Sequence, residues 1–191
     1  DGIARLLFNE RIQQQGSDGV SIELTNGYKV PEYRYVTSQY GSSNWESIVA
    51  GKAGLYFIDY KNKSFNLLNN DGVKDISLQG GFKSWFNNNI TGKKYTLSYD
   101  KRNSDIYIHD DTTCLNFSES IGSFVSFYDY IGILCMRNIW DGLVSVKSNT
   151  SDTNFSDIWI HNVGDYNVFY GESRPFSIEY LFNPDPQIDK V

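Results

Sequence analysis

Two histidines are the residues of this sequence whose type and spacing could most directly do chemistry. His109 and His161 each end a repeated phrase, Ser-Asp-Ile-aromatic-Ile-His, which begins at Ser104 and again at Ser156. Imidazole is the commonest type of metal ligand in proteins. The two histidines occupy equivalent positions of separate repeats, so we expect them to lie at least one repeat apart. The sequence therefore predicts no metal site and no cofactor.

Adjacent carboxylates offer a second kind of chemistry. Asp110 and Asp111 could act as acid and base in glycoside hydrolysis, which needs two carboxyl groups held across a sugar. Successive residues of a strand point to opposite faces, so the pair is poorly placed and a turn is the better interpretation. The acidic loops 69–75 and 183–189 carry oxygen ligands without the spacing of a calcium-binding loop, and we expect polar turns there.

Motifs for covalent catalysis or cofactor binding are missing from the sequence. It contains no Gly-x-Ser-x-Gly, Walker, Rossmann or His-Glu-x-x-His pattern. Cys114 and Cys135 have neither the number nor the spacing of a metal site or a disulfide framework, so we expect two free thiols. We predict that the protein is not an enzyme, with a glycoside hydrolase as the alternative.

Composition indicates that β-strands position these side chains. Of the 191 residues 16% are aromatic, with 14 Tyr and 12 Phe against a single Met, a bias that suits sheets. A net charge of −6 without a dense run of Lys or Arg argues against direct nucleic-acid binding. No apolar stretch predicts a membrane span, and the first residues lack a secretion signal. The chain does not begin with Met, and we expect it to be a piece of a longer polypeptide.

A hairpin design recurs along the chain. In the phrase at 104–109 the isoleucines alternate with polar or aromatic residues, as in a half-buried strand. A strand and a turn containing Asp100 and Asn103 precede that phrase, which together predict a hairpin. An earlier stretch repeats the design with Asp59 and Asn62 in its turn. In this alignment Phe65 and Leu67 match Ile106 and Ile108, and a third hairpin joins 142–148 to 156–162 through a longer polar loop.

Further strand-like segments follow these hairpins, and four strands at a period of about 40 to 45 residues are typical of β-propeller blades. We therefore predict an all-β fold in which residues 51–191 form three β-propeller-like blades at about 54–92, 95–136 and 142–183. Three blades cannot close a ring. Either the N-terminal strands in residues 1–50 supply a fourth or partial blade, or other chain segments complete a larger propeller. A β-sandwich with similar hairpins is the alternative.

One short helix is predicted among the strands. Phe82, Trp85 and Phe86 lie at positions i, i+3 and i+4 between glycines, which predicts one or two turns of amphipathic helix at 82–88. The stretch 44–54 could begin a helix or a strand, and we interpret residues 47–50 as a strand.

Five segments within about Asn44 to Pro186 are distinctive when taken together: "SSNWESIVAGKAGLYFID", "GFKSWF", "LSYDKRNSDIYI", "GSFVSFYDY" and "FSIEYLFNPDP". With them the chain resembles a known family, the large β-propeller tail stabilisation or muzzle proteins of crAss-like bacteriophages. The resemblance implies a structural role in the virion, at the distal part of a short tail. It also implies homo-oligomeric rings with other tail proteins, or contacts with other segments of the same longer polypeptide. It implies presence in the host cytoplasm during assembly, and it transfers no catalytic residue.

Exposed aromatic residues could also recognise a host surface glycan. Tyr107 and Trp159 lie on the face of their strands opposite the isoleucines, among Asn, Asp and Ser residues. An aromatic ring can stack on the apolar side of a pyranose while polar neighbours bind its hydroxyls. We name both residues as possible glycan or interface contacts. The alternative, which we favour, is that their rings pack in the core between sheets.

Overall fold

The structure is a computed structural model that describes residues 2–6, 11–15, 21–25, 33–110, 112–128, 134–136, 142–148 and 156–178. These residues form several small antiparallel sheets and one short α-helix, so the prediction of a mostly β protein is confirmed. Among the described residues, the helices lack the length and apolar character needed to cross a membrane.

The strands in chain order are β1 (Ile3–Leu6), β2 (Arg11–Gln15), β3 (Ser21–Thr25), β4 (Tyr33–Thr37), β5 (Ile48–Ala50), β6 (Leu55–Asp59), β7 (Ser64–Asn69), β8 (Gly72–Asp75), β9 (Thr96–Asp100), β10 (Asp105–His109), β11 (Cys114–Ser118), β12 (Ser123–Tyr128), β13 (Leu134–Met136), β14 (Val144–Ser148), β15 (Ser156–Ile160), β16 (Val168–Phe169) and β17 (Glu172–Ser173). The helix α1 spans Phe82–Asn89, as predicted, and 3₁₀ turns lie at Trp45–Ser47 and Gln79–Gly81.

The four N-terminal strands are nested in pairs. β1 pairs with β4 and β2 pairs with β3, each in antiparallel register. A blade would instead join four consecutive strands in one meander. Among the described residues, the N-terminal segment therefore places the β2-β3 pair between the two strands of the β1-β4 pair. These four strands form two two-stranded sheets and not the single four-stranded sheet of a blade.

Three sheets follow, built on the three predicted hairpins. The first sheet has the order β5-β6-β7-β8, the second β9-β10-β11-β12, and the third β13-β14-β15. All three hairpins are confirmed, as β6-β7, β9-β10 and β14-β15. In the first and third sheets another strand, β5 or β13, lies before the hairpin, whereas in the second sheet the hairpin comes first and β9 is an edge strand. Among the strand-like segments that follow the third hairpin, 168–173 forms the short pair β16 and β17, whereas residues 176–178 form no strand and residues 179–182 lie outside the described part of the chain.

Aromatic side chains fill the core between the first two sheets. Phe65 of β7 is fully buried and its ring centroid lies 5.7 Å from that of Phe117 on β11. Phe86 of helix α1 is also fully buried and stacks on Phe65, with 6.2 Å between centroids. The helix thus closes one side of this core with the aromatic face that the sequence predicts.

The sheets stack so that positions aligned by the repeat face each other. Phe117 pairs with Ile106, so the face of Ile106 meets the face of its repeat equivalent Phe65. On the other face of the second sheet, Tyr107 belongs to one apolar cluster with Leu143, which precedes β14. Rotation about a propeller axis never turns equivalent faces toward each other. The propeller blades are therefore not confirmed, and the packing among the described sheets is that of layered sheets.

A cleft beside Trp159

Trp159 lies at the edge of a cleft of about 570 Å³. The cleft opens between the end of β15, the loop 161–171 and the turn at Arg102 and Asn103 of the second sheet. The Trp159 ring is half-buried and meets Tyr170 edge to face, with 5.7 Å between centroids. Tyr166 on the rim is 98% exposed. The cleft therefore presents aromatic rings next to polar side chains.

The turn at Asp100, whose design recurs at Asp59 in the first sheet, holds one wall of the cleft in place. Asp100 is fully buried, and its carboxylate accepts hydrogen bonds from the Asn103 side-chain amide at 2.8 Å and the Arg102 backbone amide at 2.9 Å. The Asn162 side-chain amide, at the end of β15, donates to the same carboxylate at 3.1 Å. The Asp100 turn therefore connects the second sheet to the third.

The equivalent turn of the first sheet makes the same kind of connection. Asp59 accepts hydrogen bonds from the Asn62 side-chain amide at 2.8 Å and from the backbone amide of Gly41 at 3.1 Å. The Asn62 side chain also donates to the Gln39 carbonyl oxygen at 2.8 Å. The aligned Asp and Asn residues thus serve to join each hairpin to a segment outside its own sheet.

A buried serine lies beneath the cleft, next to a half-buried histidine of its lining. The Ser145 hydroxyl lies 2.6 Å from Nε2 of His161 and 2.8 Å from the Tyr170 hydroxyl. Burial lowers the pKa of His161, against an opposing effect of the Asp100 carboxylate, so the imidazole is held neutral near pH 7. A catalytic serine needs access to substrate, and Ser145 is fully buried beneath Tyr170. This network orders the loop and presents no nucleophile at the surface.

Tyr107 does not reach the cleft. It is 8% exposed and its ring lies 5.8 Å from that of Tyr128, inside the packing between the second and third sheets. Burial raises the pKa of its hydroxyl. The structure thus separates the two aromatic residues that the sequence groups together, leaving Tyr107 little surface for a ligand. The role of Trp159 as a glycan or interface contact stays a prediction.

The other candidates for chemistry lie apart from this cleft. His109 is buried in the second sheet, and Cys114 is buried in β11 of the same sheet. Asp110 accepts hydrogen bonds from the backbone amides of Thr112 and Thr113, so it forms the turn that the sequence favours. Asp111, the loop 183–189 and the side chain of Cys135 lie outside the described residues. In the part of the chain that is described, no three His, Cys, Asp or Glu side chains are grouped to hold a metal.

Sequence reasoning missed an exposed aromatic residue. Trp45 is 79% exposed and borders a separate cleft of about 660 Å³. The strand predicted at 47–50 is confirmed as β5 (Ile48–Ala50), and the residues before it, Trp45–Ser47, form a 3₁₀ turn that was not predicted. Asn44 caps this turn by accepting from the backbone amide of Glu46 at 3.2 Å. An Asn directly before the turn was the available signal, since Asn is a preferred N-cap residue.

The described residues form layered antiparallel sheets joined by buried polar networks, with several aromatic side chains exposed at the surface. Comparison with known proteins identifies the family. The model of the Crassvirus muzzle protein family matches residues 1–149. The muzzle protein of Bacteroides phage crAss001 is 35% identical over 198 aligned positions, which cover the whole of this chain and 14% of that protein.

The chain belongs to the Crassvirus muzzle protein family. The family predicted from the sequence is thereby confirmed. The chain spans about one seventh of the length of the curated relative, since it covers 14% of that protein.

Proposed function

We propose that this chain is a structural part of the virion tail of a crAss-like phage and works through rigid packing and subunit interfaces. The family match over the chain carries this proposal. Within it the chain acts as part of a muzzle or tail stabilisation protein and performs no catalysis. The burial of Ser145 supports the absence of catalysis from this proposal. Ser145 and His161 are a possible nucleophile and general base next to the cleft, but the Ser145 hydroxyl is closed to substrate.

Exposed apolar positions in the third sheet support a role in interfaces. Ile158 and Ile160 are 71% and 62% exposed, whereas their repeat equivalents Ile106 and Ile108 are fully buried between sheets. The same kind of face is therefore covered in the second sheet and open in the third. Other virion proteins, another copy in a homo-oligomeric ring, or further segments of a longer polypeptide are the partners we propose.

The arrangement of the complete protein is part of the same proposal. A closed β-propeller, with residues 51–191 supplying blades beside the N-terminal strands, stays a prediction for the longer protein. The layered packing of the described sheets favours the sandwich alternative. We further propose that the protein passes through the host cytoplasm during assembly.

Native mass measurement of tail particles tests the structural role. We expect the chain in a complex with further copies or with other virion proteins. The double variant Ile158→Asp and Ile160→Asp should abolish that complex because it places charge on the apolar face. Ile121→Asp, in the turn between β11 and β12 and 70% exposed, is the matched control and should assemble normally. A stable, lone monomer of the unmodified protein would contradict the proposal.

Glycan binding at Trp159 is a second candidate function. Trp159 and Tyr166 line one cleft with Arg102 and Asn103, a combination of rings and polar groups suited to a sugar. Trp159→Ala should then abolish binding to a host polysaccharide on a glycan array without loss of β-sheet signal in circular dichroism. Equal binding by Trp159→Ala and the unmodified protein would exclude this site.

A further inference from the structure

The cleft beside Trp45 has the features of a ligand site, and no part of the proposed structural role uses it. It opens between the 3₁₀ turn Trp45–Ser47 and the segment 90–94, which joins helix α1 to β9. Its volume is about 660 Å³, and the side chain of Ile90 in its lining is 2% exposed. The cleft is large enough for two or three sugar rings, and the apolar surface it exposes to them is the indole of Trp45, which is 79% exposed.

Trp45 is held in place although most of its surface faces solvent. The Asn44 side chain, which caps the turn, is anchored through its amide to the Tyr95 carbonyl oxygen at 3.4 Å. The Ser47 hydroxyl donates to the Asn44 carbonyl oxygen at 2.7 Å and closes the turn. An indole on a fixed backbone can stack on a flat apolar surface at low entropic cost.

The charges around this cleft are opposite in sign to those of the chain. Lys63, Lys93 and Lys94 line it and Glu46 is the single carboxylate among the lining residues, whereas the whole chain carries a net charge of −6. Lys93 shares its charge with Asp110, at 2.7 Å between Nζ and Oδ2. Lys94 is exposed and forms no ion pair within the described part of the chain. A local excess of cations attracts an anionic group.

We propose that the Trp45 cleft binds an acidic saccharide. The pyranose ring stacks on the indole of Trp45, and the uronate carboxylate lies against the ammonium group of Lys94, since that of Lys93 is paired with Asp110. Glu46 accepts hydrogen bonds from sugar hydroxyls. This site is separate from the Trp159 cleft, and its existence depends neither on the structural role nor on glycan binding at Trp159.

Isothermal titration calorimetry with a hyaluronan hexasaccharide tests the proposal, because this probe alternates a uronate with a neutral sugar. Cellohexaose is the neutral probe of matched length. We expect binding of the acidic probe that weakens as salt is raised, and at least about tenfold weaker binding of the neutral one. Trp45→Ala and Lys94→Glu should each weaken acidic-probe binding about tenfold or more. Phe176→Ala, at a 75% exposed aromatic position that does not line this cleft, is the matched control and should bind like the unmodified protein.

Three outcomes would overturn the proposal. The first is no binding of the acidic probe by folded protein, with folding checked by circular dichroism. The second is binding that Trp45→Ala leaves unchanged. The third is equal competition by double-stranded DNA, which would make the lysines a general polyanion surface. Loss of tail assembly with acidic-probe binding intact would instead count only against the structural role.

Discussion

The carboxylate of Glu119 binds the backbone amides of Lys52 and Ala53, at 3.1 and 2.9 Å. Glu119 lies in the turn between β11 and β12 of the second sheet, while Lys52 and Ala53 lie in the loop between β5 and β6 of the first. Together with the Asp100 turn, this contact shows that acidic side chains, and not only the aromatic core, connect neighbouring sheets.

Replacing Glu119 should make the free energy of unfolding depend less on pH in the acidic range. Burial of the Glu119 carboxyl opposes ionisation, but hydrogen bonds from the Ala53 amide, the Tyr99 hydroxyl and the Lys52 amide outweigh it and lower the pKa. A lowered pKa stabilises the fold above the unfolded value of about 4.3, and this contribution is lost as pH falls through the folded pKa. Glu119→Gln should cost about 1 kcal/mol of unfolding free energy at pH 7.

Urea titrations between pH 3 and pH 7 measure this effect. The difference between Glu119→Gln and the unmodified protein should shrink as pH falls below about 4. Asp71→Asn, at an exposed position of the turn between β7 and β8, is the control and should show a constant difference near zero. A difference for Glu119→Gln that stays the same across the whole pH range would contradict this explanation.

The Glu119 carboxylate packs against Gly51, where it fits because glycine has no Cβ atom. A Cβ atom at this position would lie 2.6 Å from Oε1 of Glu119 and 2.9 Å from Cε2 of Tyr56. Gly51→Ala should therefore lower the unfolding free energy by about 1–3 kcal/mol. In a double-mutant cycle with Glu119→Gln the two losses should be less than additive, because both disrupt one contact. Strict additivity would show that Gly51 acts independently of Glu119.

The Asp100 turn should control how firmly the third sheet is held. Asp100→Ala removes the acceptor of the Asn162 side-chain amide and should cost about 1–3 kcal/mol. Hydrogen exchange in β14 and β15 should accelerate more than exchange in β6 and β7. Asp59→Ala is the matched variant of the first sheet and should show the reverse pattern. Equal acceleration of both regions in both variants would mean that these turns affect only global stability.

Phe65 should be one of the most sensitive positions of the core. Its ring is fully buried and lies 5.6 Å from the Tyr56 ring and 6.0 Å from the Phe124 ring, besides its contacts with Phe86 and Phe117. Phe65→Ala should cost about 3–5 kcal/mol, measured by denaturant unfolding. Phe176→Ala, at a position that is 75% exposed, should change stability by less than about 0.5 kcal/mol. Similar losses for both variants would refute this description of the core.

Local features of the fold could be predicted from the sequence, whereas the pairing of distant segments could not. Alternating residues and the Asp59 and Asp100 turns predict the hairpins, and the spacing of Phe82, Trp85 and Phe86 predicts helix α1. The pairing of β1 with β4 depends on which distant strand offers a free edge, and alternation gives no information about that.

The candidate sites were less predictable for a similar reason. Tyr107 and Trp159 occupy the same position of the repeated phrase, yet Tyr107 is buried between sheets and Trp159 borders a cleft. Their difference depends on what packs on each sheet, which the repeat does not specify. Trp45 borders a cleft because a 3₁₀ turn places its side chain at the surface, and the sequence pattern specifies neither the turn nor the exposure.

Labelling of intact phage particles would test the central claim most directly. Antibodies raised against residues 33–110 should label the tail of purified virions in electron micrographs, and peptides from this chain should appear in virion digests at a ratio comparable to other tail proteins. Virions that lack these peptides and the label, with the protein found only free in infected-cell lysate, would contradict a structural role in the tail.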